Sequence, residues 1–110
     1  MIIIEKNPGT KIPYEVNGTK ITFDDELTLK LAKLQKEDPV HKDICFDSEG
    51  DLCIGTKEGK YYVAEIDIPA IEYETEGEGD EQELVPVPLD MDDVTLTLWS
   101  IDDKTKIEED

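Results

Sequence analysis

His41, Asp43, Cys45 and Cys53 are the residues whose types and spacing come nearest to a chemical site. Asp47-Ser48-Glu49-Gly50-Asp51 fits a type I turn followed by a left-handed glycine, with Ser48-Glu49-Gly50 as the loop. In that register Phe46 faces Leu52 and Ile44 faces Ile54 on one side of a hairpin, while Cys45 faces Cys53 on the other. Side chains alternate along a strand, so His41, Asp43, Cys45 and Asp47 share the second face. A zinc ion could draw on His41, Cys45, Cys53 and Asp43. However, structural zinc favours closely spaced pairs, and two-residue steps along a strand splay ligands by about 7 Å. No metal site is therefore expected, and the cysteines read as small apolar side chains in a reducing compartment.

Other catalytic sets are weaker. Ser48 lies in a turn, and neither it nor Ser100 belongs to a Gly-x-Ser-x-Gly or Cys–His pattern with an orienting partner. Carboxylates are plentiful, with 29 Asp and Glu, so no pair stands out for acid–base work. Residues 76–83 are rich in oxygen ligands but do not match the spacing of a calcium loop. Gly77 and Gly79 sit among carboxylates that would repel a phosphate. The expectation is a protein without catalytic residues or cofactor.

Charge is the feature with functional content. The net charge is −18, all 11 cations are lysines, and the acids are unevenly placed. Residues 1–60 hold 9 Lys against 12 acids, whereas residues 61–110 hold 2 Lys against 17. No cation occurs between Tyr61 and Asp103. Such a field disfavours nucleic acid and anionic membrane, and leaves a basic protein or self-association as partners. The expected interaction surface comprises Glu72, Glu74, Glu76, Glu78, Asp80, Glu81 and Glu83, with Trp99 as a possible anchor (tryptophan is also common in half-buried core). A carboxylate array on a rigid scaffold could also mimic nucleic acid and occupy a groove built for phosphates.

The elements that must position these residues point to one α+β domain over 1–101. Met1–Glu5 reads as a strand, and Asn17-Gly18 as a hairpin turn between 11–16 and 19–23. For 24–37 the spacing predicts the single helix: Asp24 or Asp25 caps it, and Leu27, Leu31 and Leu34 recur at i, i+4 and i+7. The rival strand, from Leu27, Leu29 and Leu31 alternating, covers five residues and leaves Leu34 unused. Residues 41–68 read as a three-stranded meander with its second turn at 57–60. Tyr62, Ala64, Ile66 and Ile68 form its dry side, and Pro69 marks a bulge or edge. Residues 74–83 carry six acids, two glycines and no apolar residue, which predicts a mobile loop. Leu84–Leu89 is extended, 94–101 is the last strand, and 102–110 is an exposed acidic tail. The sum is an antiparallel sheet of about six strands with the helix on one face, the docking edge lying near Pro69 and Pro86. Nothing resembles a signal peptide or a membrane span, which places the chain in the cytoplasm.

MIIIEKNPGTKI, DELTLKLAK, YVAEIDIPA and VTLTLW, about a third of the chain, resemble small uncharacterised acidic proteins of phages and prophages of Gram-positive gut bacteria. The resemblance carries no active-site motif. It implies a phage particle or host-cytoplasm setting, as an assembly component or an inhibitor of a host defence.

Overall fold

The computed structural model describes residues 1–57 and 59–102, and the backbone of 105 and 106. Among the described residues it is mostly β, with eleven strands in three sheets and one helical turn (two further turns are 3-10). The largest sheet runs β1(Ile2–Glu5), β10(Thr95–Leu98), β7(Gly59–Ile68), β5(Val40–Asp47), β6(Leu52–Ile54), with β11(Thr105–Lys106) also on β7. A second sheet is β2(Tyr14–Asn17), β3(Lys20–Phe23), β4(Leu27–Lys30). The third is the hairpin β8(Tyr73–Glu76), β9(Glu83–Pro86).

Two layers share one core. Ile21 and Phe23 from β3, Leu29 from β4 and Leu31 join Ile44, Ala64, Ile66, Ile68, Leu96 and Leu98 of the large sheet in a single buried cluster. Burying an aliphatic side chain stabilises by roughly 1.5–3 kcal/mol, so this cluster is what holds the two sheets face to face.

The hairpin at Ser48-Glu49-Gly50 has the expected register, with Phe46 opposite Leu52, Cys45 opposite Cys53 and Ile44 opposite Ile54. Gly50 takes φ +85°, and the Asp47 carboxylate accepts the Glu49 and Asp51 N–H groups. That Asx turn is why this loop was legible.

The expected helix over 24–37 is replaced by a strand and one helical turn. Asp24 and Asp25 do not cap a helix; with φ of +51° and +52° they turn the chain, closed by the Glu26 N–H on the Phe23 carbonyl. Leu27–Lys30 then pairs with β3, Ile21 opposite Leu29. Strand geometry buries Leu29 and Leu31 together, and the turn α1(Leu31–Leu34) brings Leu34 against the core as well. A ready antiparallel partner outweighs the modest helix propensity of a short segment.

The middle strands are also not a meander. β5 lies between β6 and β7, so β7 crosses from the β6 side to the other edge of β5. β6 has three residues, and Gly55 at φ +91° leads the chain away. The turn expected at 57–60 includes Glu58, which lies outside the described residues, and Gly59 and Lys60 already belong to β7. A bulge places two residues of β7, Val63 and Ala64, where one is expected: Ile44 pairs Ala64 and Cys45 pairs Tyr62. Val63 thereby joins the core and Tyr62 turns to the opposite face, reversing the expected sides of both.

Two further corrections are topological. β1 pairs β10 in parallel, Ile3 opposite Leu96, so the sheet is mixed. In the first hairpin Asn17 pairs Lys20, so Gly18-Thr19, with Gly18 at φ +63°, forms the turn. The strand expected over 94–101 is Thr95–Leu98, and Thr105–Lys106 of the expected tail pair with Tyr62 and Tyr61 of β7. Beyond β10 Ser100 donates its N–H to Asn7 Oδ1 at 2.6 Å, and Asp102 accepts the Thr10 N–H at 2.8 Å, so the start of the expected tail is tied down. That backbone N–H, the largest influence, holds the Asp102 carboxyl below its ordinary range. The tail itself otherwise falls on 103, 104 and 107–110, outside the described residues.

Candidate functional site

Two surfaces carry the residues singled out from the sequence. The first is the face of the large sheet away from the core. β5 and β7 run antiparallel with His41 opposite Asp67 and Asp43 opposite Glu65, so alternation sets all four on this face. His41 Nδ1 is 2.7 Å from Asp67 Oδ1 and Nε2 is 2.9 Å from Asp43 Oδ1, with Glu65 Oε1 at 3.5 Å. Glu65 also accepts the Trp99 indole N–H at 2.8 Å. Trp99 stacks on Tyr62 with centroids 4.9 Å apart, and the Lys6 ammonium sits 5.5 Å from its ring centre. The interface-anchor candidate is thus half-buried, with its N–H bonded and its ring stacked.

Three carboxylates around one imidazole favour the cation. His41 is pushed above its ordinary pKa, chiefly by the Asp67 hydrogen bond and then, against partial burial, by Asp43. The zinc grouping considered from sequence is brought together only in part. His41 meets Asp43, and its third neighbour is Glu65, the ligand atoms of these three lying within 4.8 Å of one another. This trio could hold a divalent cation, but His41 already bonds carboxylates through both nitrogens and is satisfied as an ion-pair clamp between β5 and β7. Cys45 is buried, and its thiol is pushed up to about 12 by burial first, then by Cys53, Asp43 and Glu65. A thiol held so firmly in its protonated form is a poor ligand and nucleophile. No disulfide joins it to Cys53.

The second surface is the β8–β9 hairpin. The span read as a mobile loop supplies Glu74–Glu76 of β8 and Glu83 of β9, with a 3-10 turn at Gly79–Glu81. Tyr73 opposes Pro86 and Thr75 opposes Leu84, which gives one apolar face. Glu74 opposes Val85 and Glu76 opposes Glu83, and the Val87 N–H on the Glu72 carbonyl continues the ladder. The other face is therefore acidic, with Glu72, Glu74, Glu76 and Glu83, while Glu78, Asp80 and Glu81 occupy the tip. Seven of the eight expected surface residues meet in this one element; Trp99 directly follows β10 of the large sheet.

The arm is tethered at its foot. Gln35 Nε2 donates to the Pro69 and Ala70 carbonyls at 3.0 and 3.2 Å, and the Ile71 N–H to the Lys36 carbonyl at 2.8 Å. Tyr73 O–H donates to the Glu37 carboxylate, a bond that lifts the Tyr73 pKa above its ordinary value. Beyond the foot, Leu84 is 70% exposed and Tyr73 44%. A shallow hollow of about 390 Å³ at the foot is lined by Ala32, Gln35, Ile71 and Pro86–Leu89. Another of about 330 Å³ lies over the small sheet, between Tyr14 and Asp25. His41 and the cysteines line neither. The amphipathic arm had a signal in the sequence: Tyr73 and Thr75 alternate with Glu72, Glu74 and Glu76, and the extended run Leu84–Val87 follows a glycine-containing connection.

No protein-family model matches the chain, and neither does any curated protein or any solved structure. Among the described residues, no helix is long and apolar enough to cross a membrane.

Proposed function

We propose that this protein is a non-enzymatic interaction module, working as a structural or assembly component in a phage particle or a host cytoplasm. The observation that carries the reading is where its exposed large apolar side chains fall. Ile2, Ile3 and Ile4 lie on β1 and Ile54 on β6, outer strands of the large sheet, Tyr14 and Val16 lie on β2, an outer strand of the small sheet, and Tyr73 and Leu84 lie on the arm. Open strand edges with apolar side chains are templates for pairing with another chain. The phage setting rests on the resemblance of the four segments quoted above.

A second reading is an acidic mimic of nucleic acid that occupies a basic host protein. It gains support because Glu72, Glu74, Glu76 and Glu83 share a face of a paired hairpin, where β geometry holds alternate side chains about 7 Å apart. Affinity capture from a lysogenic host lysate at low and high salt, beside sedimentation of the purified chain, tests both. The module reading expects a stoichiometric complex or an oligomer that survives salt. Mimicry expects a nucleic-acid-binding partner lost at high salt. A monomer that retains nothing in either buffer contradicts both.

A further inference from the structure

β8 and β9 pair with each other and with no other strand among the described residues. Each therefore has an open edge. The outward edge of β9 contains Pro86, which has no N–H to donate; on β8 the Val87 N–H to the Glu72 carbonyl sets the ladder so that the Tyr73 and Thr75 N–H groups face the open edge. A two-stranded hairpin is marginal in water, and this one sets Glu76 directly against Glu83, a destabilising like-charge pair. A third strand would supply what is missing.

We propose that the open edge of β8 receives an extended protein segment in which apolar residues alternate with lysine or arginine. The alternation follows from the two faces of the arm. In a strand added to β8, every other side chain continues the Tyr73/Thr75/Leu84 face and must be apolar to cover it. The ones between fall on the Glu72/Glu74/Glu76/Glu83 face and must be basic. Main-chain bonds to β8 give affinity, and the alternating contacts give register. A second copy of this arm is refused by charge, since residues 72–83 carry seven acids and no cation. Nucleic acid and anionic membrane are refused for the same reason. This inference rests on the interaction-module reading and names the partner's chemistry.

The test uses three short fluorescent peptides on the intact chain: alternating Val-Lys, the same residues in two blocks, and alternating Val-Glu. The expected result is saturable binding of the alternating Val-Lys peptide, about tenfold or more tighter than the block peptide, because only alternation buries one face while pairing the other. Amide exchange should slow at Tyr73–Glu76. Leu84→Ser and Glu74→Lys should each weaken binding about tenfold without changing the circular dichroism of the fold, and Val-Glu should not bind. Equal binding of the block peptide, protection that falls on β1 instead of β8, or no binding by any peptide overturns the proposal. If the peptides fail while the chain still forms a salt-resistant complex or oligomer, only this inference falls; if those are absent too, the module reading falls with it.

Discussion

Truncating Leu84 should scarcely destabilise the protein, whereas truncating Ile66 should remove a large share of its stability. Leu84 is 70% exposed, so about a third of its side chain is shielded from water. Full burial of a leucine is worth roughly 1.5–3 kcal/mol, which puts the shielded part at about 0.5–1 kcal/mol and sets the expected loss for Leu84→Ser. Ile66 has no exposed surface and sits in the cluster that joins both sheets. Ile66→Ala removes buried methyl groups and leaves a cavity, for a loss of roughly 2–5 kcal/mol. Against a total of about 5–15 kcal/mol for a typical domain, the second change is severe and the first minor. Urea unfolding followed by Trp99 fluorescence reads both, since Trp99 is the sole tryptophan and packs on Tyr62. A Leu84→Ser loss as large as that of Ile66→Ala would mean that the apolar face of the arm is part of the core, and the reasoning behind the arm would fail.

The remaining predictions concern the other surface and the backbone. The raised pKa of His41 means that its bridge to Asp67, Asp43 and Glu65 contributes fully below the unfolded value of about 6.5, and is lost as pH rises through the folded pKa. With the side chain 45% exposed the contribution is under about 1 kcal/mol, so it shows as the difference in urea midpoint between wild type and His41→Asn across that range. An imidazole titrating at or below 6.5 by NMR would refute the clamp. The native chain should protect Cys45 from a thiol reagent until it unfolds, because the thiol is buried and held protonated; rapid labelling of Cys45 would contradict its place in the sheet. Gly9→Ala should destabilise by about 1–3 kcal/mol, since Gly9 has φ +125° and an added Cβ would strike the buried Ser100 side chain. Gly18→Ala, at φ +63° in open space, should lose only the backbone part, about 1 kcal/mol, and equal losses at the two sites would refute the close approach.

Where residue type alone dictates geometry, the sequence was readable. Asp47, with Gly50 three residues on, specifies its turn by a side-chain hydrogen bond and a positive φ, and the register of β5 and β6 follows. The shared face of His41 and Asp43 follows from alternation. Over Asp24–Glu37 both periods fit, since Leu27, Leu31 and Leu34 satisfy a helix while Leu27, Leu29 and Leu31 satisfy a strand, and the deciding factor is β3, a tertiary partner. The parallel pairing of β1 with β10 joins residues more than ninety positions apart, which no local pattern encodes. Acid content hid the arm, since composition reports what a segment cannot bury and not whether it can pair with another.

The claim that the arm is a binding element attached to an independent core is most directly tested by paired binding isotherms for the alternating Val-Lys peptide. One is measured on the intact chain and one on a variant in which 73–86 is replaced by a short Gly-Ser turn. The account predicts saturable binding to the first and none to the second, with the core still unfolding cooperatively. Undiminished binding to the variant would contradict it.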